Sequence, residues 1–224
     1  MPLTNVQIQV LKEAMDRYSY PPELYDFALK RPIIFRSMRD LEHTIKDDLL
    51  SNNVAKVKFA LANIVYWGFA SSGLANVRSN RFLGEVTEVQ LEKAMSVFSR
   101  ISGNSLKEIK DIGLPQFSQM SFTSKLRMFL DPRNYVVLDS QLLKIKDSKT
   151  KTLFQEIQKY PTSIPINREN CRQYDKWCSI CKDTASRYFS NIGAIAVDVE
   201  RGIFHLVNQF EAEKAAKLVS SMEN

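Results

Sequence analysis

Apolar residues recur at intervals of three and four along most of the chain, the spacing that puts them on one face of an α-helix. The first such pattern stops before the proline pair Pro21-Pro22. The most apolar pattern spans residues 52–73, with an asparagine cap at its start and glycines near its end. Two later patterns predict a long helix after Asn167 and another over residues 194–210. Most of the chain is therefore predicted to be helical.

Shorter segments complete this prediction. A proline pair followed by "ELYDFALK" predicts a short helix over residues 21–30, and "KTLFQEIQKY" predicts another over residues 151–160. The strand-like run from Tyr135 to Leu138 is too short to form a sheet. The chain has 7 glycines and 8 prolines, which favours long helices over tight turns. We therefore predict an all-α, multi-helix globular fold with about ten helices.

The length, net charge and cysteine count of the chain limit its possible domain organisation, partners and compartment. Its 224 residues fit a single all-α domain over residues 1–224, or two helical lobes with a cleft between them. A net charge of +6 permits a polyanionic partner. The sequence holds no apolar run of membrane-spanning length, and its 3 cysteines, an odd number, indicate a reducing compartment. We therefore expect a cytoplasmic protein without a membrane partner.

Residues 105–145 carry the strongest functional signal. "SLKEIKDIG" predicts a short helix capped by Ser105, "GLPQFSQ" a tight turn, and the following residues a second helix. After a loop with Pro132, the apolar run "YVVL" leads into Asp139 at the head of another predicted helix. A short helix, a turn and a second helix form a helix-hairpin-helix candidate. Its turn N–H groups and the N-terminus of its second helix can hold a phosphate.

In this order of elements the chain resembles the helix-hairpin-helix DNA glycosylase superfamily, which includes endonuclease III and the 8-oxoguanine glycosylases, as a divergent member. A similar "FTSKLRMFLDP…VLDS" stretch occurs in a group of uncharacterised bacterial proteins. The resemblance implies that Asp139 acts on the sugar, and that a lysine at the start of the second helix attacks its C1′ atom. Ser121 or Met120 occupies the place of that lysine, and Lys125 follows at i+4 from Ser121.

The hairpin also departs from the family pattern, which reads G-x-G. Gly113 is present, but a residue such as Phe117 or Gln119 takes the place of the second glycine. A side chain there makes close backbone approach to a phosphate harder. The residues expected to contact DNA are Gly113, Gln116, Ser118, Gln119 and Ser121 of the hairpin, with Arg78 and Arg81 of a polar loop.

Each candidate also has a structural interpretation. Asp139 before an apolar periodic run is an ordinary helix N-cap, and Lys125 is an ordinary solvated lysine. Tyr66 and Trp67 are candidates for stacking on an extruded base, but their interpretation as core aromatics is favoured.

Cys171, Cys178 and Cys181 match the first three ligands of the iron–sulfur loop of endonuclease III, with Arg187 in the fourth place. A [4Fe–4S] cluster needs four thiolates, and this spacing puts all three cysteines on one face of a helix. The two histidines, His43 and His205, are distant in sequence. We therefore expect no iron–sulfur cluster, no metal and no other cofactor.

Two functions remain open at this stage. The first is a base-excision DNA glycosylase, with or without lyase activity, acting on double-stranded DNA. The second is a non-catalytic helical scaffold or binding module for DNA or for a protein partner. The retained aspartate and the positive charge favour the first, and the missing glycine and displaced lysine favour the second.

Overall fold

The computed structural model describes residues 2–100 and 105–223, and it is predominantly helical. The prediction of an all-α, multi-helix fold is confirmed. The α-helices are α1 (Asn5–Asp16), α2 (Met38–Leu49), α3 (Val54–Gly68), α4 (Ala75–Glu85), α5 (Glu88–Phe98), α6 (Leu106–Asp111), α7 (Met120–Leu130), α8 (Arg168–Tyr188), α9 (Ala196–Asn208) and α10 (Ala212–Met222). Short 3-10 helices cover Ala70–Ser72, Leu142–Asp147, Leu153–Glu156 and Ser190–Ile192. Two strands, β1 (Glu23–Asp26) and β2 (Arg31–Ile34), form a small antiparallel sheet.

The chain divides into two compact units, one formed by residues 20–131 and the other by residues 1–19 with 132–224. No helix in the described residues is both long and apolar enough to cross a membrane.

Helix α3 is the core of the 20–131 unit. Asn53 caps it, because its Oδ1 atom accepts hydrogen bonds from the N–H groups of Ala55 and Lys56. Leu61, Ile64 and Val65 are fully buried, and α2, α4, α5 and α7 pack around the helix. Residues 60–67 of α3 are buried on every side of the helix, which is typical of such a central position.

The helix predicted over residues 21–30 is wrong: this segment is the first strand and turn of the β1–β2 hairpin. The Asp26 carboxylate accepts the N–H groups of Ala28 and Leu29, which builds the turn. The Tyr25 N–H donates to Oδ1 of Asn63 on α3 at 2.7 Å. The proline pair gave a helix-start signal, but these local and tertiary hydrogen bonds take the backbone groups that a helix would have used.

Helices α8 and α9 form the core of the other unit, with α1 and α10 packed on α9. Gly202 allows the close approach of α1, because a Cβ atom there would lie 2.9 Å from Leu11 Cδ1 and from Met15 Cγ. The fully buried Tyr174 and Trp177 project from α8 into this core.

The helix predicted over residues 151–160 is also wrong beyond one short 3-10 turn, Leu153–Glu156. The backbone that follows is bound by side chains from elsewhere. The Ile157 carbonyl accepts a hydrogen bond from Lys146 Nζ at 2.8 Å, and the Gln158 N–H donates to Asn170 Oδ1 at 2.8 Å. These groups are therefore not available to continue a helix.

Candidate nucleic-acid interface

The turn between α6 and α7 begins at a well-capped helix. The Ser105 hydroxyl accepts the Glu108 N–H, and the Glu108 carboxylate accepts the Ser105 N–H at 2.8 Å. This backbone hydrogen bond is the main reason that the pKa of Glu108 lies below its usual value. Helix α6 ends at Asp111, and Gly113, two residues later, has a φ of +80° and an N–H that donates to the Lys110 carbonyl.

A second left-handed residue completes the turn, and it is Gln116, with a φ of 69°. That a residue such as Phe117 or Gln119 takes the place of the family's second glycine stays a prediction. Phe117 points inward, is fully buried and meets the ring of Phe82 edge-on at 5.9 Å. A non-glycine residue in this conformation costs about 1 kcal/mol, so the surrounding turn must hold it in place.

Thr123 holds the turn against the start of α7. Its buried hydroxyl lies 2.8 Å from the Phe117 carbonyl oxygen and 2.9 Å from the Gln119 carbonyl oxygen. In this fully described helix, the N-cap residue Gln119 makes no side-chain capping hydrogen bond. The Gln119 side chain therefore satisfies none of the first-turn N–H groups of α7, where Met120 is fully buried and Ser121 and Phe122 are half-buried, and the helix dipole favours an anion at this end.

A row of stacked groups runs beside the N-terminus of α7. The Arg78 guanidinium lies 5.5 Å from the centre of the Phe69 ring, and the Phe69 ring lies 5.0 Å from the Phe122 ring. Lys125 Nζ lies 5.4 Å from the centre of the Phe122 ring. We call these four residues the cation–aromatic row. It places a positive charge at each end of two rings within the 20–131 unit.

Lys125 is buried, with 7% of its surface exposed, which contradicts its interpretation as a solvated lysine. Its Nζ atom lies 3.4 Å from the Ser121 carbonyl oxygen. Gly68 at the end of α3 makes room for it, because a Cβ atom there would lie 2.6 Å from Phe122 Cε1 and 3.3 Å from Lys125 Cδ. A buried lysine is rare, and its charge is strong where water is scarce.

Arg78 and Arg81 lie on helix α4, so the expectation that they belong to a polar loop is wrong. The i,i+3 spacing puts both on one side of that helix. Arg81 is exposed and forms an ion pair with Glu85 at 2.6 Å, while Arg78 belongs to the cation–aromatic row. Among the hairpin candidates, Gly113, Ser118 and Gln119 are exposed, and Gln116 and Ser121 are half-buried.

Asp139 follows an extended segment that is not part of a sheet. The carbonyls of Val136 and Val137 accept hydrogen bonds from the Tyr174 hydroxyl and the Trp177 indole, at 3.0 and 3.2 Å. The half-buried Asp139 carboxylate then accepts the N–H groups of Gln141 and Leu142, at 3.0 and 3.3 Å. Asp139 thus caps the turn that leads into a 3-10 helix, Leu142–Asp147, whose own N-cap residue is Gln141, and no α-helix begins at Asp139.

Lys125 belongs to the 20–131 unit, whereas Asp139 belongs to the other unit. The implication of the resemblance, that Asp139 and a lysine act on the same sugar, stays a prediction. The hairpin candidates and Arg78 belong to the same unit as Lys125.

Tyr66 and Trp67 are packed inside the 20–131 unit. Tyr66 faces Tyr25, and burial together with the nearby Glu23 carboxylate raises the pKa of Tyr66. Trp67 meets Tyr20 and Phe129 edge-on, at 4.9 and 5.2 Å. Its buried indole N–H has no hydrogen-bond partner in the described part of the chain. Stacking of either ring on a base would require a neighbouring ring to move.

The three cysteines lie on one helix, α8, as predicted. Cys178 and Cys181 are buried, and burial raises the pKa of the Cys181 thiol well above its usual value. Across residues 2–100 and 105–223, no three His, Cys, Asp or Glu side chains are grouped so as to hold a metal ion.

Sequence reasoning missed Phe69, Phe122 and Thr123 as parts of this region. The signal for Phe122 was its place within the "SFTSK" stretch, next to residues already chosen. Nothing local marks Phe69 or Thr123, because their roles depend on contacts made after folding.

No protein-family model matches this chain, and neither does any curated protein or solved structure with which it was compared.

Proposed function

We propose that this protein binds double-stranded DNA through the α6–α7 turn and cleaves the N-glycosidic bond of a damaged base. One observation carries the proposal. Helix α7, whose N-cap residue makes no side-chain capping hydrogen bond, carries Phe122 and Lys125 of the cation–aromatic row, and Arg78 lies at the other end of that row. A phosphate at this helix end would meet peptide N–H groups, the positive end of the helix dipole and nearby positive side chains.

The proposed chemistry assigns Asp139 and Lys125 different roles. As the base leaves, positive charge develops on the sugar, and the Asp139 carboxylate stabilises it. In a bifunctional enzyme, the neutral Lys125 amine bonds to C1′ as the bond from C1′ to the base nitrogen breaks, and the proton that the amine then loses goes to the departing base. Opening of the sugar ring then gives a Schiff base, which borohydride reduces to a stable amine.

A second candidate is a DNA-binding protein without catalytic activity. The observation that favours it is the Asp139 carboxylate, which already accepts two backbone N–H groups in a structural cap. In this alternative the α6–α7 turn still binds phosphate, and base release is absent.

The binding step is tested by Ser121→Glu, measured by fluorescence anisotropy with a labelled duplex. A carboxylate in the first turn of α7 suits the helix dipole, so the fold should be retained, but it repels phosphate. We expect at least a tenfold loss of affinity, which is about 1.4 kcal/mol. The matched control is Ser96→Glu, which adds the same charge at an exposed position of α5 in the same unit. Equal affinity for the two variants would rule out the α6–α7 turn as the binding site.

The catalytic step is tested on a panel of lesion-containing duplexes with and without borohydride. The wild-type protein should release one class of base and form a trapped adduct. Lys125→Gln should lose the adduct and keep base release wherever water replaces the amine. DNA binding with no base release from any duplex would support the non-catalytic candidate instead.

A further inference from the structure

The β1–β2 hairpin of the 20–131 unit displays an unusual surface. Apolar side chains are exposed on and after its turn: Leu29 is 62% exposed, and Ile34 is 75% exposed. The hairpin carries two basic residues, Lys30 and Arg31, and two acidic ones, Glu23 and Asp26, and the basic Arg36 and Arg39 follow it in the chain. Lys30 and Arg31 follow Leu29 directly, and both are exposed. The turn therefore combines exposed apolar surface with positive charge.

Side-chain hydrogen bonds and a ring contact fix the conformation of this two-stranded hairpin. The Asp26 carboxylate fixes the turn through the N–H groups of Ala28 and Leu29, each at 2.9 Å. Phe27 stacks on Phe59 of α3 with ring centres 5.7 Å apart. Lys30 has a φ of 52°, a left-handed conformation that costs a lysine free energy. A strained residue in a fixed turn is a feature found at binding sites, where preorganisation lowers the cost of association.

Two ordinary explanations account for only part of this surface. Basic residues and a proline on an edge strand prevent sheets from pairing edge to edge. Pro32 does this here, because it has no N–H to donate. Neither device requires Leu29 or Ile34 to be exposed. The same proline also disfavours docking of a partner by strand addition, which leaves recognition through side chains.

We propose that the hairpin turn is a second contact with duplex DNA, in which Lys30 and Arg31 bind phosphates and Leu29 packs against the deoxyribose. Charge complementarity selects this partner, since Lys30 and Arg31 are adjacent and exposed at the turn, while the Asp26 carboxylate is engaged by the N–H groups of Ala28 and Leu29. The apolar faces of the sugars supply a surface for Leu29 that a simple inorganic anion lacks. The inference goes beyond the α6–α7 contact, and it requires a nucleic acid but not that contact.

Measuring DNA affinity as a function of salt concentration separates the contribution of the charged contacts from that of the apolar contact. Each phosphate contact adds about 0.9 to the slope of log affinity against log salt, so Lys30→Gln with Arg31→Gln should flatten that slope by about 1.8. The control is Lys93→Gln with Lys182→Gln, which removes two charges from exposed positions elsewhere and should leave the slope unchanged.

Leu29→Ser should act differently. Loss of the apolar contact should weaken binding roughly tenfold at every salt concentration and leave the slope as in the wild-type protein. Val6→Ser, at an exposed aliphatic residue of α1, is the matched control and should bind normally.

The outcomes separate this inference from the proposed function. A wild-type slope in the Lys30/Arg31 double variant, with binding lost in Ser121→Glu, overturns the hairpin contact and leaves the α6–α7 contact standing. A flattened slope with normal binding by Ser121→Glu supports the hairpin contact and overturns the other. Failure of the wild-type protein to bind duplex DNA even at low salt overturns the hairpin contact as well.

Discussion

Replacement of Asp139 by asparagine and by alanine should separate its capping role from its proposed catalytic role. The carboxylate accepts hydrogen bonds from two N–H groups, at 3.0 and 3.3 Å, at the start of a 3-10 helix. Loss of such a cap costs about 1 kcal/mol. For a protein of this size, that corresponds to a fall in Tm of about 2–4 °C. Alanine should show this fall, and asparagine should not, because its Oδ1 atom can accept both hydrogen bonds.

The two variants should differ in Tm but not in base release. Both variants lose the negative charge that stabilises a cationic sugar, so both should lose base release by about 100-fold or more. The measurement pairs thermal unfolding followed by circular dichroism with single-turnover release of the base that the wild-type protein removes. DNA affinity, measured by anisotropy, should stay within about threefold of the wild-type value for Asp139→Asn, since the fold is retained.

Two results would refute this reasoning. If Asp139→Asn lowers Tm as much as Asp139→Ala does, the hydrogen bonds to Gln141 and Leu142 do not stabilise the segment as a cap. If Asp139→Asn keeps the wild-type rate of base release, the carboxylate charge plays no part in the reaction. In the second case Asp139 is a capping residue alone.

Three further predictions concern stability. Thr123→Val removes the hydroxyl that binds the Phe117 and Gln119 carbonyls, and should lower the free energy of unfolding by about 1–3 kcal/mol in urea titrations; an unchanged midpoint would contradict this. Gln116→Gly should raise that free energy by about 0.5–1 kcal/mol by relieving the left-handed strain, whereas a loss would mean that the glutamine side chain stabilises the turn. Burial raises the pKa of Cys181, so its contribution to stability is fully present below the ordinary thiol pKa of 9.0 and is lost as pH rises above it. In alkaline titrations Cys181→Ala should lose stability less steeply, by up to about 1.4 kcal/mol per pH unit, and equal slopes would contradict this.

The sequence alone determined the helices with long apolar periodicity and clear caps. Helix α3 carried an asparagine at its start and an apolar run longer than three turns, and α8 carried Asn167 at its cap. The two helices on either side of the α6–α7 turn were equally readable, since Ser105 and Gly113 mark the ends of the first. These signals are local, because each depends on hydrogen bonds within a few residues of the helix end.

The tertiary structure alone decided the secondary structure of the segments whose backbone groups form hydrogen bonds with distant parts of the chain. Residues 21–30 had a helix-start signal, yet the Asn63 side chain and the partner strand bind their backbone. The run before Asp139 looked like a strand, yet Tyr174 and Trp177 take the place of a neighbouring strand.

The burial of Lys125 was decided in the same way. The sequence showed only a lysine at i+4 from Ser121, which a solvated residue satisfies equally well. Gly68 on another helix leaves the space into which the lysine and Phe122 pack. A charge is buried or exposed according to what surrounds it, and those surroundings come from residues far apart in the chain.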